Sequence, residues 1–490
     1  NDIINSHNIN FVFGVNLRER KNDEETYYLR DLPAGGFSSP QFAREMAKSP
    51  NAFGQTNRLF GAMMSLNYTY DNIYLMDLTG RLDGNSSFGS DSRFAPFWSV
   101  GLGINIHNYH FAQNLEWLSE FKIRGSYGIT GKADIPAKTA RTVYTMNSDY
   151  VYATGVGGNI TAMGNKKLNW ERTNVSAIGI SLGLLGDKLR VNGSYYVRRT
   201  LDLIADMYIP SSSGFLSYKD NVGEITNKGF ELDLRWRVFS TNKMQLYVNG
   251  NLAANKNRIE KISEALKSYN KRVEDSYAQN ALIDRKPMLK FVEGASTTSI
   301  YAMRSLGIDP QTGKEMFISK DGTVGNKWIA SENVAVGNTE PKINGSISTN
   351  FYYRGLTLDL YFTYTYGGQQ YNQTLQSKIE NANIEKNVDK RVFTDRWKNE
   401  GDICQFKSLK DYRETTNPTT RFVQDDNTLT FQSLSLGYEL PDRIVQKLYL
   451  NKVRFSFNMN DVFRLSTIRQ ERGLSYPFSR GYSFSLNIGI

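Results

Sequence analysis

The sequence holds few of the residues that usually announce chemistry or a helical membrane span. One cysteine, Cys404, stands among 490 residues, which excludes an internal disulfide and any multi-cysteine zinc site. There are three histidines, His7, His107 and His110. The last two lie three apart in an expected turn, with no carboxylate or cysteine ligand beside them, and read as solvated turn residues. No GxSxG, P-loop or GxGxxG occurs, and TGVGGNI (154–160) lacks the strand and helix that a phosphate cradle needs. No catalytic constellation is present, so the expected class is not an enzyme. Proline is scarce at 12, and no apolar run approaches the ~18–20 residues of a membrane helix. Mean hydropathy is −0.48. The net charge is +10, but the 59 Lys and Arg are scattered without a dense basic run, which argues against nucleic acid. The opening NDIINSHNIN has neither the basic nor the apolar region of a signal peptide, and it does not begin with Met. It is expected to be the interior of a longer precursor.

What the sequence does have is alternation. In GFELDLRWRV (229–238), Phe230, Leu232, Leu234, Trp236 and Val238 alternate with Glu231, Asp233, Arg235 and Arg237. A period of two is a strand, greasy on one face and charged on the other. The same pattern recurs at 9–18, 59–70, 74–82, 97–106, 121–130, 176–185, 189–198, 245–254, 346–353, 356–366, 433–440, 453–460 and 481–490. That makes about fourteen strands of roughly ten residues, long for a globular protein and right for tilted strands crossing a bilayer.

The connections alternate between short and long. Short joints fall at 71–72, 186–188, 240–243 and 354–355, with two somewhat longer ones at 107–120 and 441–452. Between them lie 19–57, 83–96, 131–174, 199–228, 255–345, 367–430 and 461–480, mostly much longer. One tight rim and one rim of large loops is the layout of an outer-membrane barrel. The expected fold is therefore all-β, a transmembrane antiparallel β-barrel with long extracellular loops at 131–174, 199–228, 255–345 and 367–430. Apolar faces would meet lipid. Polar faces would border a wet lumen, where each charge can find an opposite partner on a neighbouring strand. Tyr68, Tyr70, Tyr74, Trp98, Tyr364, Tyr366 and Tyr438 near strand ends suit an interfacial girdle. The alternatives are a passive or structural barrel, and a soluble β-sandwich that binds glycans.

Several stretches resemble the SusC-type (RagA-like) TonB-dependent outer-membrane transporters. They include RLDGNSSFGSDSRFAPFWSVGLGINI (81–106), LNWERTNVSAIGI (168–180), YYVRRTLDLI (195–204) and, most specifically, PSSSGFLSYKDNVGEITNKGFELDL (210–234). GIDPQTGKEMF (307–317), TDRWKNEGD (394–402), LTFQSLSLGYELP (429–441), NKVRFSFNMNDVFRLS (451–466) and YPFSRGYSFSLNIG (476–489) follow in family order. The resemblance implies a 22-stranded barrel of the Gram-negative outer membrane, filled by an N-terminal plug, of which residues 1–490 match only the last fourteen or so strands. The plug, the TonB box and the first strands have no counterpart here; the same or another chain would supply them. It further implies import of oligosaccharides or oligopeptides, a SusD-like surface lipoprotein as a lid, contact with TonB through the plug, and a dimer of transporter–lipoprotein pairs. One departure is the final Ile490, where such barrels usually end in an aromatic.

Candidate functional residues follow from both readings. On the lumen-facing parity lie Arg18, Lys122, Arg124, Arg198, Glu231, Asp233, Arg235, Arg237, Asp359 and Arg454, expected to hold the plug or touch substrate. Tyr144, Tyr150, Tyr152, Tyr208, Phe215 and Tyr218 are loop aromatics expected to meet a partner or ligand, with 131–174, 199–228 and 255–345 as the lipoprotein interface. No cofactor is expected. Calcium at Asp425-Asp426 or within GIDPQTGKEMFISKDGT (307–323) is the weaker reading against ordinary turns.

Overall fold

The structure is a computed structural model, and it describes all residues except 1–5, 34, 37–38, 133–139, 154, 209–216, 279–285, 412–413, 448, 469–479 and 490. The first strands are β1 (His7–Arg30), β2 (Glu45–Tyr70), β3 (Tyr74–Asn85), β4 (Phe94–Asn105) and β5 (Leu118–Lys132), with the short helix α1 (His110–Gln113) between the last two. A separate hairpin follows, β6 (Val143–Tyr152) and β7 (Gly155–Ala162). Then come β8 (Glu171–Leu184), β9 (Leu189–Tyr208), β10 (Ser217–Ser240), β11 (Met244–Ile262) and helix α2 (Glu264–Ala278). The short strands β12 (Ser299–Ala302), β13 (Arg304–Ile308), β14 (Glu315–Ile318), β15 (Val324–Gly325) and β16 (Val334–Asn338) build two small sheets. The chain continues with β17 (Ile343–Tyr353), β18 (Leu356–Tyr371), β19 (Val423–Glu439), helix α3 (Asp442–Lys447), β20 (Lys452–Ser466) and β21 (Gly481–Gly489).

Fourteen of these strands form one antiparallel meander, β1-β2-β3-β4-β5-β8-β9-β10-β11-β17-β18-β19-β20-β21. Each strand expected from alternation is one of them. Register shows why the sheet has two unlike faces. Phe121, Leu182, Val191, Leu234, Gly250, Ile347, Phe362, Phe431 and Phe463 are successive cross-strand partners. The adjacent row, one residue along, runs Lys122, Ser181, Asn192, Asp233, Asn251, Ser346, Thr363, Thr430 and Arg464. Aromatic neighbours pack within the first row: the Phe362 and Phe431 rings stack with centroids 4.4 Å apart.

No described residue covers the apolar face. Leu17 is 76% exposed and Phe484 82%, and Phe230 and Trp236 are exposed as well. A band of large apolar side chains spanning the whole sheet is far beyond what water tolerates on a soluble surface, so this face meets lipid. The sandwich alternative required a second sheet across Phe230 and Trp236, and there is none among the described residues.

At one rim the turns are tight. Tyr353 pairs with Leu356, leaving the two-residue turn Arg354-Gly355, both at positive φ (46° and 90°), the signature of a type I′ hairpin. Gly355 is required twice over, since a Cβ there would also lie 2.5 Å from the Glu439 carbonyl oxygen.

At the other rim the strands outrun the membrane. β1, β2, β9 and β10 have 24, 26, 20 and 24 residues, against the ~9–11 needed to span. Much of 199–228, expected as a loop, is therefore hairpin: strand runs to Tyr208 and resumes at Ser217. The extensions lack alternation because both faces are wet there. They are held by the ladder and by cross-strand charges, Arg58 to Glu19 at 2.7 Å, Arg172 to Asp202 at 2.7 Å, and Arg199 to Glu224.

The long connections carry cores of their own. Ile379, Ala382, Val392, Phe406 and Phe422 cluster within 367–430. Phe88, Ala95, Phe97 and Trp170 cluster between 83–96 and 131–174, with the Phe88 and Trp170 rings stacked at 4.3 Å. Trp170 Nε1 donates to the Ser92 carbonyl at 2.9 Å, tying the two segments.

Candidate functional site

The polar face of the sheet divides into two sectors. On β11 and β17–β20 it is mostly neutral, and its side chains bond to one another. Asn251 Nδ2 donates to Ser346 Oγ at 2.8 Å, Asn350 Nδ2 to Asp359 Oδ1 at 2.8 Å, and the Ser435 hydroxyl to Asn458 Oδ1 at 2.7 Å. Arg454 donates to Thr357 Oγ1 at 3.3 Å. On β3–β10 the same face is charged.

The expected inward charges distribute as follows. Arg18 lies across from Leu59 at the outer part of β1. Lys122, Arg124, Arg198 and Glu231 share one recess with Asp77, which sequence reasoning did not single out. Asp233 and Arg235 follow Glu231 along β10. Arg237 sits at the tight rim, where Nη2 donates to the Gly186 carbonyl at 2.9 Å. Asp359 and Arg454 belong to the neutral sector.

Among the described residues, the expected pairing across strands is absent for six of these charges. Lys122, Arg124, Arg198, Glu231, Asp233 and Arg235 form no ion pair among the described residues. The register is the reason. Glu231 faces Ser194 and Ala253, Asp233 faces Asn192 and Asn251, and Arg235 faces Arg190 and Asn249. Arg190 is already taken by Asp187 at 2.8 Å.

Of the loop aromatics, Tyr144 and Tyr152 project from the β6–β7 hairpin, 63% and 67% exposed. Tyr218 is half-buried on β10 opposite Met207, and burial, then the Asp220 carboxylate, raises its pKa. The side chains of Tyr150 and Tyr208, and all of Phe215, lie outside the described residues.

The outer loops contain a polar cluster with no local sequence signature. Arg421 bonds both oxygens of Glu315, at 2.6 and 2.8 Å, and Glu380 Oε1 at 2.7 Å. The two carboxylates come from different loops, and all three side chains are at least nine-tenths buried. Burial lowers the Arg421 pKa, but the Glu315 hydrogen bonds and the Glu380 and Glu315 charges more than reverse this, leaving it raised. Arg396 is buried next to it and spends its guanidinium on the carbonyls of Val392, Lys407 and Ile379; burial lowers its pKa against the pull of Glu380. Trp328 Nε1 donates to the Pro418 carbonyl and Trp397 Nε1 to that of Pro310, so 255–345 and 367–430 are one body.

Asp309 and Asp321, within the stretch weighed for calcium, spend their carboxylates on turns. Asp309 accepts from the Thr312 hydroxyl and the Gln311 amide, and Asp321 from the Thr323 amide, which lowers the pKa of each.

A family profile described as "TonB dependent receptor-like, beta-barrel" matches residues 2–451. The chain belongs to this family. TonB-dependent receptors of this kind are outer-membrane barrels, receptors and transporters rather than enzymes, so the apolar face described above is the lipid face and the polar face the lumenal one. TonB-dependent receptor P3 of Formosa agariphila is 24% identical over 479 residues, 93% of this chain and 46% of that protein. TonB-dependent receptor SusC of Bacteroides thetaiotaomicron is 30% identical over 222 residues, 44% of this chain and 22% of that protein. The chain thus spans less than half the length of these relatives. Among solved structures, the RagAB peptide transporter superposes with a TM-score of 0.81 at 22% identity, over 95% of this chain and 51% of that one. The likeness extends to the barrel fold, and the resemblance to SusC-type receptors read from the sequence is met on both counts.

Proposed function

We propose that this chain forms fourteen strands of the wall, and the outer loops, of a SusC-like importer for oligosaccharides or oligopeptides. TonB drives it through a plug region, and a SusD-like surface lipoprotein lids it. The observation that carries the reading is the asymmetry of the wall: apolar outward, polar inward, with folded loops confined to one rim. A passive pore needs no such superstructure, whereas a capturing lid needs a shaped seat. Support comes also from SusC among the relatives and from RagAB, a peptide transporter by its description. Loops 131–174, 199–228 and 255–345 are the proposed seat of the lipoprotein, with Tyr144 and Tyr152 on the most prominent hairpin, and two transporter–lipoprotein pairs associate in the membrane.

The test uses the full-length protein in outer membranes. Uptake of labelled oligosaccharides and oligopeptides is measured with and without TonB, and the lipoprotein encoded beside it is sought in the detergent-extracted complex. Uptake that survives loss of TonB makes the protein a passive barrel. Tyr144→Ala with Tyr152→Ala lowers lipoprotein recovery; unchanged recovery removes the hairpin from the seat.

A further inference from the structure

We infer that the recess on the lumenal wall where β5, β8 and β9 meet is a binding site for a carboxylate. The inference rests on the reading of the chain as the wall of a filled importer, and it adds a ligand chemistry to one place in that wall. The recess has a volume of about 400 Å³ and is lined by Lys122, Arg124, Arg198, Tyr196, Asp77 and Glu231, with glycines and serines between them.

Small residues create it. Gly103, Arg124, Gly179, Ser194 and Glu231 are successive partners across β4, β5, β8, β9 and β10. Arg124 and Glu231 are three strands apart, about 14 Å at ~4.8 Å per strand, too far to meet, with only Gly179 and Ser194 between them. A Cβ on Gly179 would lie 2.8 Å from Arg124 Nε, so the glycine is what lets this guanidinium lie along the wall. Arg198 lies over the Tyr196 ring, its guanidinium carbon 4.2 Å from the centroid, and a stacked guanidinium keeps its N–H edge for another acceptor.

The charges are left unspent. Elsewhere on this face Arg81 has Asp83 and Arg190 has Asp187, while Arg235, beyond the recess, has no ion pair among the described residues. Lys122, Arg124 and Arg198 have no ion pair among the described residues, and Asp77 accepts from Asn67 Nδ2 at 2.6 Å. Three cations against two carboxylates leave one excess positive charge, which suits a singly charged planar carboxylate that a guanidinium can hold through two N–H groups. A concave wall that excludes part of the water strengthens the attraction. The carboxylate belongs either to the segment that fills the barrel or to cargo passing it.

The experiment takes the full-length transporter in outer membranes with Lys122→Glu, Arg124→Glu and the conservative Arg124→Lys. Heat-modifiable mobility verifies a folded barrel; Arg124→Gln, nearly isosteric, replaces the reversal should that not assemble. Two readouts are taken. One is entry of vancomycin, a bulky antibiotic that a filled barrel excludes. The other is uptake of paired probes, a Glu-containing against a Gln-containing pentapeptide and a galacturonate against a galactose oligomer. If the carboxylate is on the filling segment, reversal raises vancomycin entry roughly tenfold, as expected for losing one charge-assisted contact, and Arg124→Lys restores the seal. If it is on cargo, the acidic probe loses roughly tenfold in uptake while its neutral twin and the seal are unchanged. Reversal variants that neither leak nor separate acidic from neutral probes overturn the site. Failure of the wild type to take up any probe would count against the importer reading; the recess is then decided by vancomycin entry, a leak in the reversal variants supporting it and an intact seal overturning it.

Discussion

Arg421 has 8% of its side chain exposed, between Glu315 at 6% and Glu380 at 0%. Substituting it by Met leaves Glu315 buried without its ion-pair partner and beside the like-charged Glu380, which costs about 3–5 kcal/mol. The expected result is that 255–345 and 367–430 become sensitive to limited proteolysis while the membrane wall stays intact. The exposed pair Arg58–Glu19 is a contrast: Glu19→Ala shifts stability by less than about 1 kcal/mol in the same assay. Two tyrosines report on the same loops. Burial raises the pKa of Tyr277 and of Tyr301 to about 12, from 10.0. A folded-state pKa above the unfolded one gives stability that is complete below pH 10 and is lost as pH rises towards 12. The loops are therefore expected to loosen across that alkaline window and not in mild acid. Ultraviolet difference titration of Tyr277→Phe and Tyr301→Phe against the parent, with proteolysis in parallel, checks the position and the sign. At this scale the sequence offered residue types and parity, enough to put Lys122, Arg124 and Glu231 on one face. It could not reveal that they stay unpaired, because pairing depends on which residue of the next strand stands opposite.

The strands were the most legible elements, because a two-residue period is imposed by backbone geometry wherever one side is oil and the other water. The period ends where both sides are wet, so β1, β2, β9 and β10 continue well past the point at which the pattern stops. Polar residues there keep the strand conformation because the neighbouring strand supplies the ladder. The facing of β10 makes a sharp comparison of adjacent residues. Leu234→Arg places a cation among lipid tails and costs about 2–4 kcal/mol if near the midplane. Asp233→Asn on the opposite face changes stability by about 0.5 kcal/mol or less. Equilibrium unfolding from lipid vesicles separates the two; equal costs would reverse the assignment of faces. The loops were far less legible. Excising 255–345 is expected to expose the Arg421 site and unfold 367–430 with it, read as new protease cuts in the latter. For that reason lipoprotein binding is better probed at the β6–β7 hairpin, which has its own two-stranded sheet.

The fourteen-stranded sheet as a whole begins at β1 and ends at β21, and these two strands are its edges. An edge strand in a bilayer leaves backbone amides and carbonyls without partners, at several kcal/mol each. Residues 1–490 expressed alone are expected not to yield a heat-modifiable monomeric barrel; recovery of one, closed and resistant to denaturant, would show that β1 and β21 can pair with each other. Composition, alternation and the rhythm of connections led to the all-β class, the fourteen or so wall strands of this chain, their order and, together with the family resemblance, the outer-membrane location. They are local properties, fixed by residues two apart and by the length of chain between repeats. The recess at Arg124 and Gly179 and the Arg421 cluster are of another kind. Arg421 and Glu315 are 106 residues apart, and nothing near either announces the other. Register and loop packing alone bring such residues together, so only the tertiary structure could decide where this wall keeps its free charge and how its outer loops hold one shape.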